Sequence, residues 1–464
     1  MIEALAAACT DLITDPDLLV SYQRDEADLC DSAPPLAVAR PTTTDEVARL
    51  VAVAAAHRIP VVPQGARTGL AGGANAGANA LVISMTRMNR ILGVDPANRT
   101  ATVQAGVINR ALREAAREHG LTYPPDPGSW ETSTIGGNVA TNAGGMCCVK
   151  YGVTAEYVLA LTVVLADGEV LRCGRQTAKG VAGYDLARLF VGSEGTLGVI
   201  TEVTVKLRPQ AEPGLTLVAE FPSVAEAGAA VARITAAGLT PSLLELLDGP
   251  MVAALEAYRP MGLDTGVGAL LLASADTGSK AADDLDRIAA CCGSAEVHRA
   301  TDAEEADALL AARRNAHPAL EHLAATTFPG GGGAVVVDDV AVPRSRLVDL
   351  IEGIARIGER TGVIVATVGH AGDGNLHPNL IIDRTDPASL AAGRRAFDDI
   401  MALGLELGGT VTGEHGVGLL KRDWLERELG PVGLRVHHAV KAALDPAGIL
   451  NPGKVIAPPV DSPA

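Results

Sequence analysis

Aromatic residues make up only 3% of the 464-residue chain, with two tryptophans. Single-stranded nucleic acids are bound on aromatic stacking platforms, so this scarcity argues against that class of ligand. No basic run occurs, and the formal net charge is −17. An acidic chain repels phosphate backbones, so no nucleic-acid partner is expected. Solubility is sufficient reason for the acidity. The seven cysteines (Cys9, Cys30, Cys147, Cys148, Cys173, Cys291, Cys292) contain no C-x-x-C pair. Iron–sulfur and zinc-ribbon patterns are thereby absent, and reduced thiols are expected. Cys147 and Cys148 are read as small buried side chains. Apolar stretches such as residues 157–166 fall far short of the ~20 residues that span a bilayer. No basic residue precedes Arg24, so a secretory signal is not expected. A cytoplasmic protein follows, with peripheral docking at the inner membrane face left open.

Apolar residues, by contrast, make up 48% of the chain, and glycine is abundant at 51 residues without a collagen-like period. The chain has material for several cores, and its glycines belong to local loops. Residues 1–34 read as an N-terminal extension. Residues 35–212 alternate short strands and helices around glycine-rich loops. They include a hairpin whose strands, 157–165 and 169–172, meet at Asp167-Gly168, a strong turn signal. Residues 124–145 read as loop. A break near 209–214 opens a region, 213–410, in which strands and helices alternate as in one sheet with helices on a face. Residues 411–464 form a helical C-terminal segment that returns to the first domain. The fold class is α+β.

Four stretches carry chemistry. The first is Pro63-Gln64-Gly65-Ala66-Arg67-Thr68-Gly69-Leu70-Ala71-Gly72-Gly73-Ala74. Its glycines let backbone N–H groups approach a phosphate. It matches neither G-x-x-x-x-G-K-[ST] nor a strand-to-helix G-x-G-x-x-G. The second combines Pro124-Pro125-Asp126-Pro127-Gly128-Ser129 with residues 134–145, where prolines stiffen the approach and small residues leave room for a flat ligand. The third is residues 191–201, with Glu194-Gly195 before Val199-Ile200. Together these favour a bulky phosphorylated cofactor. The fourth joins Gly369-His370 to His377-Pro378-Asn379, and then Glu414-His415. Imidazoles and one carboxylate make a three-ligand open metal site suited to Zn²⁺, with Mn²⁺ or Fe²⁺ as lesser candidates. The remaining histidines read as surface or packing residues.

The first three stretches resemble the FAD-binding domain of the vanillyl-alcohol oxidase and p-cresol methylhydroxylase superfamily. The C-terminal half resembles FAD-linked oxidases of 2-hydroxy acids, a group that includes D-lactate dehydrogenases and the glycolate oxidase flavin subunit. Asp445-Pro446 and Asn451-Pro452-Gly453 extend the likeness to the end. The resemblance implies an FAD-binding domain of the p-cresol methylhydroxylase type, an α+β sandwich cap domain and FAD contacts along Pro63, Gln64, Gly65, Ala66, Arg67, Thr68, Gly69, Leu70, Gly73 and Ala74. It implies further contacts at Pro127, Gly128, Ser129, Ile135, Gly136, Gly137, Asn138, Thr141, Asn142, Gly144, Gly145, Tyr151 and Gly152, and at Glu194, Gly195, Val199, Ile200 and Asn451. The first loop lacks the histidine that links flavin covalently in some members, so non-covalent FAD is implied.

The same resemblance assigns the metal to His370, His377 and Glu414, general-base work to His415, and the substrate carboxylate to Arg313. His317 stands where a substrate-contacting Thr is expected, and Asn379 is a further substrate position. Diacid-specific members use a Lys where this chain has Val337, which points to a small monoacid such as D-lactate or glycolate. The implied partners are the 2-hydroxy acid and an external acceptor: a quinone, a cytochrome or an electron-transfer flavoprotein. Two readings stay open beside the dehydrogenase: a subunit of a multi-subunit glycolate oxidase and a D-2-hydroxyglutarate dehydrogenase. A homodimer is compatible with all of them.

Overall fold

A computed structural model describes residues 1–458 other than Pro213, and also leaves aside the side chains of Ala303 and Asp307. The expected start of the second domain at 213 and the last residues of the C-terminal segment therefore lie outside the described residues. The chain forms two units. The first comprises residues 1–144, 153–210 and 414–464, and the second comprises residues 145–152 and 211–413. Residues 1–34, expected as an N-terminal extension, contribute Leu5 and Cys9 to the buried core of the first unit.

In the first unit, Ala37–Ala39 and Val61–Gln64 pair in parallel with Leu81–Ser84, and Leu12–Ile13 adds antiparallel at the edge. The helix Thr44–His57 packs on this sheet through Val47, Leu50, Val51 and Ala54. Its start is legible in T-T-T-D-E: the Thr43 hydroxyl accepts the Glu46 N–H at 3.2 Å, and Glu46 accepts the Thr42 N–H at 2.7 Å. A second, antiparallel sheet runs Ile91–Asp95, Thr100–Gln104, Val199–Lys206, Val158–Val164, Val170–Gly174. Its last two strands are the expected hairpin, turned at Gly168 with φ +89°.

Residues 124–145 are not loop throughout, because Ile135–Thr141 is a helix. Thr134 caps it by accepting the Gly137 N–H at 3.1 Å. Gly136, a poor helix former, is required by packing: a Cβ there would lie 2.5 Å from the Ala105 Cβ.

The second unit is built on one antiparallel sheet in the order Glu296–Arg299, Leu215–Phe221, Ala269–Ala275, Leu243–Asp248, Ile364–His370, Asn375–Asp383, Gly333–Val337. Every residue of Leu243–Asp248 and of Ala269–Ala275 is buried. Central strands buried on both sides mean the sheet is covered on both faces, not on one as the sequence suggested. On one face, Leu243, Leu247, Ala366, Val368 and Ile381 pack with helices Gly249–Tyr258 and Ala316–Thr327. Side chains alternate along a strand. Glu245, His370, His377 and Asn379 therefore share that face, with His377 opposite Val368 and Asn379 opposite Ala366 in the register.

Candidate active site

In the first unit, the loop after Val61–Gln64 spends its carbonyls on the protein. Gly69 O accepts from Glu26 N, Ala71 O from Leu419 N and Leu420 N, and Gly72 O from Asn75 N. Gly73 O accepts the Asn451 amide at 2.8 Å, and Ala74 O accepts the Gln64 amide at 2.7 Å. Among the described residues, none of the backbone N–H groups from Ala66 to Gly73 has a partner. A run of unpaired donors in a half-buried loop is an anion cradle that needs no lysine. Buried polar atoms beyond it also lack a protein partner: Asn138 Nδ2, Gln64 Oε1 and Asn451 Oδ1. The donor set fits the pyrophosphate and ring edges of FAD.

Several expected FAD contacts have side chains committed elsewhere. Arg67 lies over the Tyr22 ring at 4.8 Å. Asn142 Oδ1 accepts the Ala155 N–H at 2.8 Å. Tyr151 belongs to the second unit, where its hydroxyl donates to Asp276. Glu194 directs its buried carboxylate at the N–H groups of Val417 and Gly418, at 2.7 and 2.9 Å. Burial raises its pKa to about 7, with the Asp25 charge adding to the rise, although those two N–H groups and Lys421 pull the other way. Asn451 donates to Glu194 O at 2.7 Å as well as to Gly73 O, and so ties the first and third loops together.

In the second unit, the sheet face brings together His370 and His377. Their Nε2 atoms are 3.4 Å apart, and both residues are buried. Two ligands at the ~2.0–2.1 Å of a Zn–N bond, at a tetrahedral angle, stand roughly 3.3–3.4 Å apart. The pair thus has the spacing of two ligands on one ion. Each imidazole also shows its Nδ1 to a carboxylate: His370 to Glu245 Oε1 at 2.6 Å, and His377 to Asp339 Oδ1 at 3.7 Å. The hydrogen bond to Glu245 is of the kind that orients a metal-ligating histidine. The residues present fit a divalent metal.

Glu245, absent from the expected set, is fully buried and joins two expected residues. Its other oxygen, Oε2, accepts Arg313 Nε at 2.6 Å. Burial pushes its pKa up, but His370 and Arg313 outweigh burial and hold it below the usual range. A signal for it exists in the sequence, a single carboxylate inside Leu243-Leu244-Glu245-Leu246-Leu247. Asp339 is a second buried carboxylate outside the expected set. It accepts the Thr412 hydroxyl at 2.7 Å and the Gly413 N–H at 2.9 Å. Gly413 is thereby fixed one peptide bond before Glu414. Glu414 and His415 open the C-terminal stretch of the first unit, with Glu414 Oε1 3.8 Å from His415 Nε2.

Two expected substrate positions come out differently. His317 points outward and pairs with Glu321 at 3.4 Å. The helix Ala303–Arg314 ends at Asn315, and a new helix begins, so spacing from Arg313 does not carry over. Asn379 is on the right face, but its amide nitrogen is spent on Ala366 O and His377 O, at 3.0 and 2.7 Å. Val337 lies opposite it in the register. Cys147 and Cys148 are half-buried rather than buried.

Residues 35–174 match the FAD binding domain family, and residues 211–455 match the C-terminal domain of FAD linked oxidases. The chain belongs to the FAD-linked oxidases. It is 44% identical over 427 residues to glycolate oxidase subunit GlcD of Bacillus subtilis (strain 168), covering 91% of this chain and 89% of that protein. It is 38% identical to a D-lactate dehydrogenase of Anaerostipes hadrus, covering 94% and 92%. The fold of p-cresol methylhydroxylase with substrate bound superposes with a TM-score of 0.79 over 98% of this chain and 96% of that one, at 18% identity. This FAD-linked oxidoreductase therefore has the p-cresol methylhydroxylase fold. Among the described residues, no helix is long and apolar enough to cross a membrane.

Proposed function

We propose that this FAD-linked oxidase converts a small D-2-hydroxy acid, of the D-lactate or glycolate type, to the 2-oxo acid with the help of a divalent metal, Zn²⁺ first among candidates. The observation that carries the reading is the buried His370–His377 pair at metal-ligand spacing, joined through Glu245 to Arg313. Relatives named glycolate oxidase subunit and D-lactate dehydrogenase support the substrate class.

The reading assigns FAD to the unpaired N–H groups of residues 66–73, without a covalent link, since residues 63–74 contain no histidine. When bound, FAD supplies the acceptor for the hydride that leaves C2. His370 and His377 hold the metal, and the third ligand is assigned to Glu414, which follows the anchored Gly413. When bound, the metal supplies Lewis acidity that lowers the substrate hydroxyl pKa. Arg313 holds the substrate carboxylate through its terminal nitrogens. His415 takes the proton from the hydroxyl oxygen as the C=O bond forms. Val337 offers a second carboxylate no partner, and an unpaired buried carboxylate costs several kcal/mol, so a monoacid is favoured.

Reoxidation of bound FAD would need an external acceptor, a quinone, a cytochrome or an electron-transfer flavoprotein. The likeness to a protein named as a glycolate oxidase subunit favours a second reading, in which turnover needs partner chains. Purified chain assayed with a dye acceptor against D- and L-2-hydroxy acids separates the two. Turnover of D-lactate or glycolate by the single chain is expected, and activity only with added partners supports the second reading. A kcat/KM tenfold or more in favour of D-2-hydroxyglutarate over D-lactate would overturn the monoacid assignment.

A further inference from the structure

Glu245 is the one carboxylate of the strand Leu243–Asp248 that points into the sheet face carrying the histidine pair, and it is fully buried. A carboxylate taken out of water persists only when both oxygens are met by good donors. Here each oxygen meets a different element. Oε1 lies 2.6 Å from Nδ1 of His370 on the neighbouring strand, and Oε2 lies 2.6 Å from Nε of Arg313 at the end of helix Ala303–Arg314.

The two bonds have separate chemical consequences. A carboxylate only accepts, so His370 donates its Nδ1 proton to Glu245 and carries its lone pair on Nε2, the nitrogen that faces His377. At Arg313, Glu245 occupies Nε alone. Among the described residues, the terminal Nη groups donate no hydrogen bond, which leaves the end of the planar fork for a bidentate carboxylate. One side chain thus prepares two functional groups and fixes their separation.

We propose that Glu245 is a positioning residue of the 2-hydroxy-acid site. It holds His370 in the metal-binding tautomer and Arg313 end-on to the substrate carboxylate, so metal binding and substrate capture depend on one carboxylate. This inference rests on the reading under Proposed function and adds to it a residue that touches neither reactant.

The Glu245→Gln variant has nearly the same shape but only one acceptor. If its oxygen faces His370, its amide N–H₂ opposes the Arg313 Nε–H. If its amide faces His370, the imidazole proton moves to Nε2 and blocks ligation. One function must fail in either orientation. With FAD content equal to the parent, the expected result is one of two. Either Zn²⁺ titration of metal-free protein shows at least tenfold weaker binding, or metal binding is normal and KM for the 2-hydroxy acid rises at least tenfold with a smaller change in kcat. The Glu245→Ala variant should show both losses. Normal zinc affinity together with a KM within twofold of the parent would overturn the proposal. A measurement on the unmodified, metal-free protein removes any dependence on folding of the variant. Nitrogen chemical shifts of ¹⁵N-labelled histidine should show His370 already protonated at Nδ1 and not at Nε2. An Nε2-protonated His370 would overturn the proposal on its own. Parent protein that binds no zinc would instead refute the metal reading, and the tautomer measurement would still decide the role of Glu245.

Discussion

At the residue scale, the site depends on a few buried groups whose roles follow from their neighbours. His415 is the assigned base. The His415→Ala variant should lose ~10²–10⁴-fold in kcat, the range for removing a general base, with normal FAD content. Steady-state kinetics with a dye acceptor checks this, and an unchanged kcat with a raised KM would reduce His415 to a binding residue. Glu194 gives a pH signature. Its pKa is about 7 in the fold, against an ordinary 4.5. The folded chain therefore binds the extra proton between those values. Stability from this group is full below pH ~4.5, falls as pH rises towards ~7 and is level above, a change on the order of 3 kcal/mol. Urea unfolding of FAD-free protein at pH 5 and pH 8 should show the parent losing that much relative to Glu194→Gln. Parallel pH profiles would contradict it.

At the element scale, most strands were legible because alternation and turn chemistry are local. The Asp167-Gly168 hairpin and the capped helix Thr44–His57 are examples. The helix Ile135–Thr141 was not legible, because Gly136-Gly137 reads as loop and the packing that demands glycine lies 31 residues back at Ala105. Gly136→Ala places its Cβ 2.5 Å from Ala105 Cβ and 2.8 Å from Ala105 O. Overpacking of this kind costs roughly 1–3 kcal/mol. A lowered melting temperature and partial loss of FAD on purification are expected, and unchanged values for both would contradict the packing argument. The histidine pair was legible because His370 and His377 stand out in glycine-rich sequence. Glu245 was missed because its two partners, 125 and 68 residues away, meet it only in the folded sheet. His317 was misplaced because the helix break at Asn315 resets the phase.

At the scale of the whole molecule, the two units divide the chemistry. The first presents the anion cradle of residues 66–73, and the second presents the histidine pair, Glu245 and Arg313. The chain crosses between units at 144–145, 152–153, 210–211 and 413–414, with boundaries expected from sequence near the last two, at 212–213 and 410–411, but none near the first two. Those first two bound the short segment 145–152, with glycine at 144, 145 and 152. Under the proposed mechanism, oxidation of a 2-hydroxy acid by this flavoprotein requires a metal at His370 and His377. The direct test strips metal with a chelator while FAD stays bound, then assays D-lactate or glycolate with a dye acceptor. The expected result is loss of turnover, restored by about one Zn²⁺ per chain in the parent but not in His370→Ala or His377→Ala. Full turnover by metal-free, FAD-replete protein would contradict the account.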